Sequence, residues 1–173
     1  LEAAAKLRTE IDIDVQLVSN LDPEGRTIRR LAQGDLAGAV TVHSGISDEQ
    51  LADLIASAQV MAIPSLYEGF SLPAVEALAC GTPLVASAAG ALPETVGDAG
   101  VLVKPRDVEA LVAELKRFLT DPEHRADYSA RGRQRALDKY SWVAVARSTA
   151  KVYEKEIARR ASAPSKGTHH VDS

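Results

Sequence analysis

The sequence predicts an α/β fold: a parallel sheet flanked by helices, with a helical extension at its C-terminal end. Three observations carry this. Short apolar runs rich in Val and Ile alternate with longer stretches of helical texture, the signature of βαβ units. The runs are mostly continuous in apolar character, as strands covered on both faces should be. After Val103 they stop, and three amphipathic stretches follow with no strand between them.

In chain order, "LEAAAKLR" (1–8) reads as a helix, "IDVQLVS" (13–19) as a strand, "RTIRRLAQ" (26–33) as a helix and "AVTVHS" (39–44) as a strand. Ser47 and Gln50 form a capping-box pattern at the head of a helix over 47–58. Strands are expected at 60–65, 83–87 and 100–103, with a helix over 73–80 between the first two. The stretches that begin at Asp107, Pro122 and Ser141 are helical to about Arg160. One domain is expected over 1–160, and the polar, aperiodic residues 161–173 are expected to form a disordered tail. His169 and His170 fall in that tail and read as solvated, so no metal site is predicted.

Composition narrows the function. The 173 residues, 46% hydrophobic and 25% charged, suffice for one domain with a full core. A net charge of −4 and the lack of a basic stripe with interleaved aromatics argue against nucleic acid as a partner. The single cysteine rules out an internal disulfide. Neither a signal peptide nor an apolar run of bilayer length is visible, so no transmembrane segment and a cytoplasmic location are expected.

The stretch "PSLYEGFSLPAVEALACGTPLVAS" (64–87) holds two glutamates, Glu68 in a loop and Glu76 in the first turn of the predicted helix. A parallel strand delivers such a loop to the carboxyl edge of the sheet, where ligands of open α/β folds bind. Gly69 allows close backbone approach, and a helix N-terminus near Pro73 welcomes an anion. A carboxylate at Glu76 can accept from two vicinal hydroxyls at once, as on a ribose, and Glu68 can orient sugar hydroxyls. A plainer reading covers the same residues: the helix dipole stabilises a first-turn glutamate whatever its function, and loop glutamates are commonly solvated. By that reading Phe70, Leu72, Val75 and Leu78 are core, and Cys80 is a small hydrophobe. His43, at the end of the second strand, can reach the same edge or be structural. No nucleophile elbow, Walker A loop, Gly-x-Gly-x-x-Gly or metal-ligand spacing competes.

The order and spacing of "EGF-x-LP" (68–73), the Glu-x7-Glu pair, "ACGTP" (79–83), "G-x-LPE" (90–94) and "KYSW" (139–142) closely resemble the donor-binding half of retaining, nucleotide-sugar-dependent glycosyltransferases of the GT-B type, the group 1 family. The resemblance implies a Rossmann-like fold, the C-terminal half of a GT-B protein, and a hexosyltransferase whose donor is a nucleotide-diphosphate sugar such as a UDP- or GDP-hexose. It implies no separate cofactor and no metal. Glu68 then corresponds to the glutamate near the reacting centre, Gly69, Phe70, Ser71 and Leu72 to the segment that contacts sugar and diphosphate, and Glu76 to the ribose ligand. Ile46, in the loop 44–46, falls in the segment that meets the nucleobase.

One departure stands beside the resemblance. Family members begin the donor domain with a strand and a Gly-Arg…Lys loop, preceded by an N-terminal acceptor domain, and this sequence shows neither. It reads as a truncated product or half of a split protein, inactive alone and prone to self-association, with the acceptor domain as its missing partner. Lys6 and Arg8 lie in the first helix and read as solvated. Two other functions stay open: a non-catalytic nucleotide-sugar-binding or interaction module, and a nucleotide-sugar epimerase.

Overall fold

A computed structural model of the protein describes residues 1–19 and 36–162. The chain forms two compact units, Leu1–Ala136 and the segment from Leu137 onward. The expected helix over 26–33 and the tail histidines His169 and His170 lie outside the described residues.

In the first unit, α1 (Glu2–Arg8) precedes β1 (Val15–Val18), and β2 (Val40–His43) leads to α2 (Asp48–Ser57). Then come β3 (Met61–Ile63), α3 (Leu72–Cys80), β4 (Leu84–Ser87), α4 (Leu92–Val96), β5 (Val101–Val103), α5 (Val108–Thr120) and α6 (Pro122–Arg135). All five expected strands are present, the first three trimmed at both ends and the last two by one residue at the start. The sequence pattern implied one sheet; the strands form two. β1 pairs with β2, and β3, β4 and β5 pair in that order, every pairing parallel. Hydrophobic pattern identifies a strand but not its partner, and no described strand bridges β1 to β3. The order β2-β1 and β3-β4-β5 is that of the two flanks of a doubly wound sheet.

The capping box forms as predicted: the Gln50 N–H donates to Ser47 Oγ at 3.2 Å, and the Ser47 N–H donates to Gln50 Oε1 at 2.9 Å. α3 ends at Gly81, whose φ of 74° is the left-handed conformation that glycine adopts without penalty. One element was missed. The "G-x-LPE" motif at 90–94, assigned to no helix, runs into α4, with Pro93 in its first turn, where a missing N–H is harmless.

β4 is buried along its whole length and divides the core. Val85 faces a cluster with Leu7, Val103, Val112, Leu115 and Phe118, whereas Leu84 and Ala86 face Ile63, Ala74, Leu92 and Val96. This is the two-residue alternation of a strand with helices on both faces. Phe118, fully buried, stacks tilted on His124 at 4.7 Å and meets the Tyr128 ring edge-on at 5.3 Å. Lys6 pairs with Glu109, and Arg8 Nη1 donates to the Ala37 carbonyl at 3.0 Å. Both cations were expected to be merely solvated, but they tie α1 to its neighbours.

A π-helical turn (Ala136–Tyr140) precedes α7 (Trp142–Ala161), the helix of the second unit. The Ala144 N–H donates to Ser141 Oγ at 3.2 Å, and Glu156 pairs with Arg159 and Arg160 one turn on. Ala161, assigned to the expected tail, still belongs to this helix. No described helix is long and apolar enough to cross a membrane.

Candidate functional site

The loops that follow β3 and β4 meet at the carboxyl edge of the three-stranded sheet. Pro64 cannot donate to a ladder, so β3 stops at Ile63 and the chain turns out. In the turn, Ser65 Oγ donates to Glu68 Oε1 at 2.8 Å and so fixes the orientation of a half-buried carboxylate. The Glu68 carbonyl accepts from the Ala91 N–H at 2.9 Å, and the Phe70 carbonyl accepts from Thr95 Oγ1 at 2.8 Å. Gly90, with φ of +55°, lies against the Glu68 backbone, closer than any side chain would allow.

Ser71 closes the loop and opens α3. It is 5% exposed, adopts a left-handed conformation at φ 67° and ψ 76°, and its hydroxyl is buried with no protein partner. A non-glycine residue held left-handed costs roughly 1 to 2 kcal/mol, and a buried, unsatisfied hydroxyl adds roughly 1 to 3 kcal/mol. Both terms fall on one residue at a helix N-terminus, where the macrodipole favours negative charge.

Glu76 is the fifth residue of α3. It was expected in the first turn, but the helix begins at Leu72 and no acid lies in that turn. The dipole effect fades beyond the first turn, so this plainer account of Glu76 loses its force. Cys80 sits one turn further along the same face. Burial, and then the Glu76 carboxylate, hold its thiol above the usual range, in keeping with a small hydrophobe and not a thiolate nucleophile.

Of the four residues read as core, Leu78 is fully buried, but Phe70 and Leu72 are 48% and 64% exposed. Their apolar character predicted burial, yet Phe70 in the loop and Leu72 in the first turn of α3 are exposed, as are Leu66 and Tyr67. His43 Nε2 is 2.7 Å from Gln16 Oε1 across the β1–β2 pair, a structural contact. Ile46 is half-buried after the carboxyl end of β2, in the other sheet. Chain continuity therefore joins Glu68, Gly69, Phe70, Ser71, Leu72 and Glu76 in one segment, whereas Ile46 belongs to the loop after β2. Sequence reasoning missed Ser65, Thr95 and the contact at Gly90. A serine three residues before the loop glutamate was the only local signal among them.

With the geometry in view, comparison with known proteins is decisive. A family model described as "Glycosyl transferases group 1" matches residues 1–135. The chain belongs to the group 1 glycosyltransferases. It is 53% identical over 165 residues to the MMP alpha-(1->4)-mannosyltransferase of Mycolicibacterium hassiacum, an alignment that covers 94% of this chain and 40% of that protein. It is 38% identical over 122 residues to the O-antigen chain mannosyltransferase B of Escherichia coli, with 70% of this chain and 32% of that one covered. The sucrose-phosphate synthase of Thermosynechococcus elongatus superimposes with a TM-score of 0.78 at 35% identity, over 91% of this chain and 42% of that one. This group 1 chain thus spans less than half the length of these relatives, and its fold is that of a GT-B glycosyltransferase half.

Proposed function

We propose that this chain binds the nucleotide-diphosphate sugar donor of a retaining hexosyltransferase at the loop 65–71 and the head of α3, for transfer to an acceptor hydroxyl. The observation that carries the reading is Ser71: a strained residue whose buried hydroxyl lacks a protein partner, at a helix N-terminus. A diphosphate supplies the acceptor that this hydroxyl lacks and the negative charge that the helix end favours.

The remaining roles follow from placement. Glu76, one turn into α3, accepts from the vicinal ribose hydroxyls. Gly69 lets the backbone approach the sugar and diphosphate, with Phe70 and Leu72 on either side of Ser71. Glu68, held by Ser65, faces the sugar near the reacting carbon. Ile46 sits in the loop assigned to the nucleobase. In the transfer, the bond from the anomeric carbon to the diphosphate oxygen breaks and a bond to the acceptor oxygen forms on the same face. The acceptor proton and the nucleoside diphosphate leave, with the helix dipole stabilising the departing charge. The named mannosyltransferases among the relatives favour mannose as the hexose. No metal and no separate cofactor enters this scheme.

Calorimetric titration with GDP-mannose, UDP-glucose and ADP-glucose tests it. Binding of one of them, weakened by Ser71→Ala, is the expected result. Wild-type protein that binds none of the three removes the basis of the reading.

A further inference from the structure

The loop that carries Glu68 is poorly held by burial, because Leu66, Tyr67 and Phe70 are all exposed. Its backbone is held by polar bonds from behind. Those bonds come from α4, a helix of five residues, too short to be stable by itself. At one end the Ala91 N–H reaches the Glu68 carbonyl at 2.9 Å; further along, Thr95 Oγ1 reaches the Phe70 carbonyl at 2.8 Å. Thr95 is 2% exposed.

The carboxyl end of α4 is fixed by Arg135 of α6. Its Nε donates to the Thr95 carbonyl at 2.9 Å and its Nη2 to the Glu94 carbonyl at 2.5 Å, while Nη1 lies 3.8 Å from the Asp98 carboxylate. The guanidinium covers Gly97 so closely that a β-carbon there would stand 2.5 Å from Cζ. A planar fork that satisfies two terminal helix carbonyls is a task a lysine cannot repeat.

We propose that Thr95 and Arg135 are positioning residues of the donor site: Arg135 sets the carboxyl end of α4, and Thr95 passes that placement to the Glu68–Phe70 backbone. This rests on the reading of that segment as the donor loop. Without the two links the loop samples other conformations, and the fraction competent to bind the donor falls.

Thr95→Val keeps shape and burial and deletes the donor; Thr95→Ser keeps the donor. On the full chain, amide exchange is followed at Ala91 and over residues 66–71, together with the melting temperature and calorimetric affinities for GDP-mannose and UDP-glucose. Thr95→Val is expected to raise loop exchange and weaken donor binding, each by about tenfold, with little change in melting temperature. Thr95→Ser should restore both, and Arg135→Lys should act in the same direction as Thr95→Val. Wild-type exchange and affinity in Thr95→Val overturn the proposal. So does an affinity loss that only follows a lowered melting temperature and is not rescued by serine, since that is a role in folding alone. If the wild-type chain binds neither donor, the donor-loop reading falls, and the exchange measurement by itself upholds or overturns the positioning.

Discussion

A β-carbon placed on Gly90 would stand 2.3 Å from the carbonyl oxygen of Glu68 and 2.8 Å from its nitrogen. The two loops at the carboxyl edge of the sheet therefore pack backbone on backbone. Both contacted atoms are main chain, so no rotamer change can relieve them. Gly90→Ala must either shift the Glu68 loop or unwind the start of α4, and the left-handed φ adds roughly 1 to 2 kcal/mol. Urea denaturation should show a stability loss at least that large, with weaker donor binding in the fraction that still folds. An unchanged midpoint would mean that the loops are not so close in solution.

Ser71 makes a prediction with opposite signs. Ser71→Gly relieves the left-handed strain and removes the unsatisfied hydroxyl, so the free protein should gain roughly 1 kcal/mol or more. Donor affinity should fall, because the hydroxyl is then missing from the diphosphate. Thermal melts with and without GDP-mannose check both halves, and a variant that loses stability without ligand contradicts the account.

The two glutamates should separate. Glu76→Ala is expected to weaken nucleotide binding by roughly 1.5 to 3 kcal/mol with the fold intact, the range for a hydrogen bond to a charged group. In an enzyme with measurable transfer, Glu68→Gln and, more mildly, Ser65→Ala should lower turnover more than free-nucleotide affinity. Equal losses on both axes would show the roles to be wrongly divided.

Acid should loosen the start of α6 through Asp121. The His124 N–H donates to its carboxylate at 2.9 Å, and this bond holds the carboxyl below its usual range. A pKa lowered in the folded state contributes stability that is present above the unfolded value and is lost as pH falls through the folded one. Asp121→Asn keeps an N-cap but cannot titrate. Its stability should therefore vary less than wild type as pH drops below about 4, the unfolded aspartate range. Parallel pH–stability curves for the two proteins would contradict this.

Association is expected through the strand edges. Among the described strands, β1 pairs only with β2 and β3 only with β4, so no described strand pairs with the other edge of either, and Val18 on β1 is exposed. Light scattering should show mass rising with concentration, and Val18→Lys should reduce the rise. A constant monomer mass across the range would refute it.

Spacing along the chain was enough to find the strands, the capping box at Ser47 and Gln50, and the Glu68–Glu76 pair, because each is a property of neighbouring residues: side-chain period, a cap three residues from its partner, a motif within one loop and one helix. It also placed the edge of the sheet to which the loop is delivered, since a parallel strand leaves its successor at its carboxyl end. What it did not contain was the contact of Gly90 with Glu68, the reach of Thr95 to Phe70 or the hold of Arg135 on α4, which join residues 22 to 41 positions apart. Nor did it reveal that Phe70 and Leu72 are exposed, for apolar character states a preference and the path of the chain through the loop and into α3 overrules it. The division into two sheets is of the same kind. Local pattern determines which segments become strands and helices, whereas pairing and loop placement depend on main-chain hydrogen bonds that nearly any residue can make, and those only the tertiary structure decides.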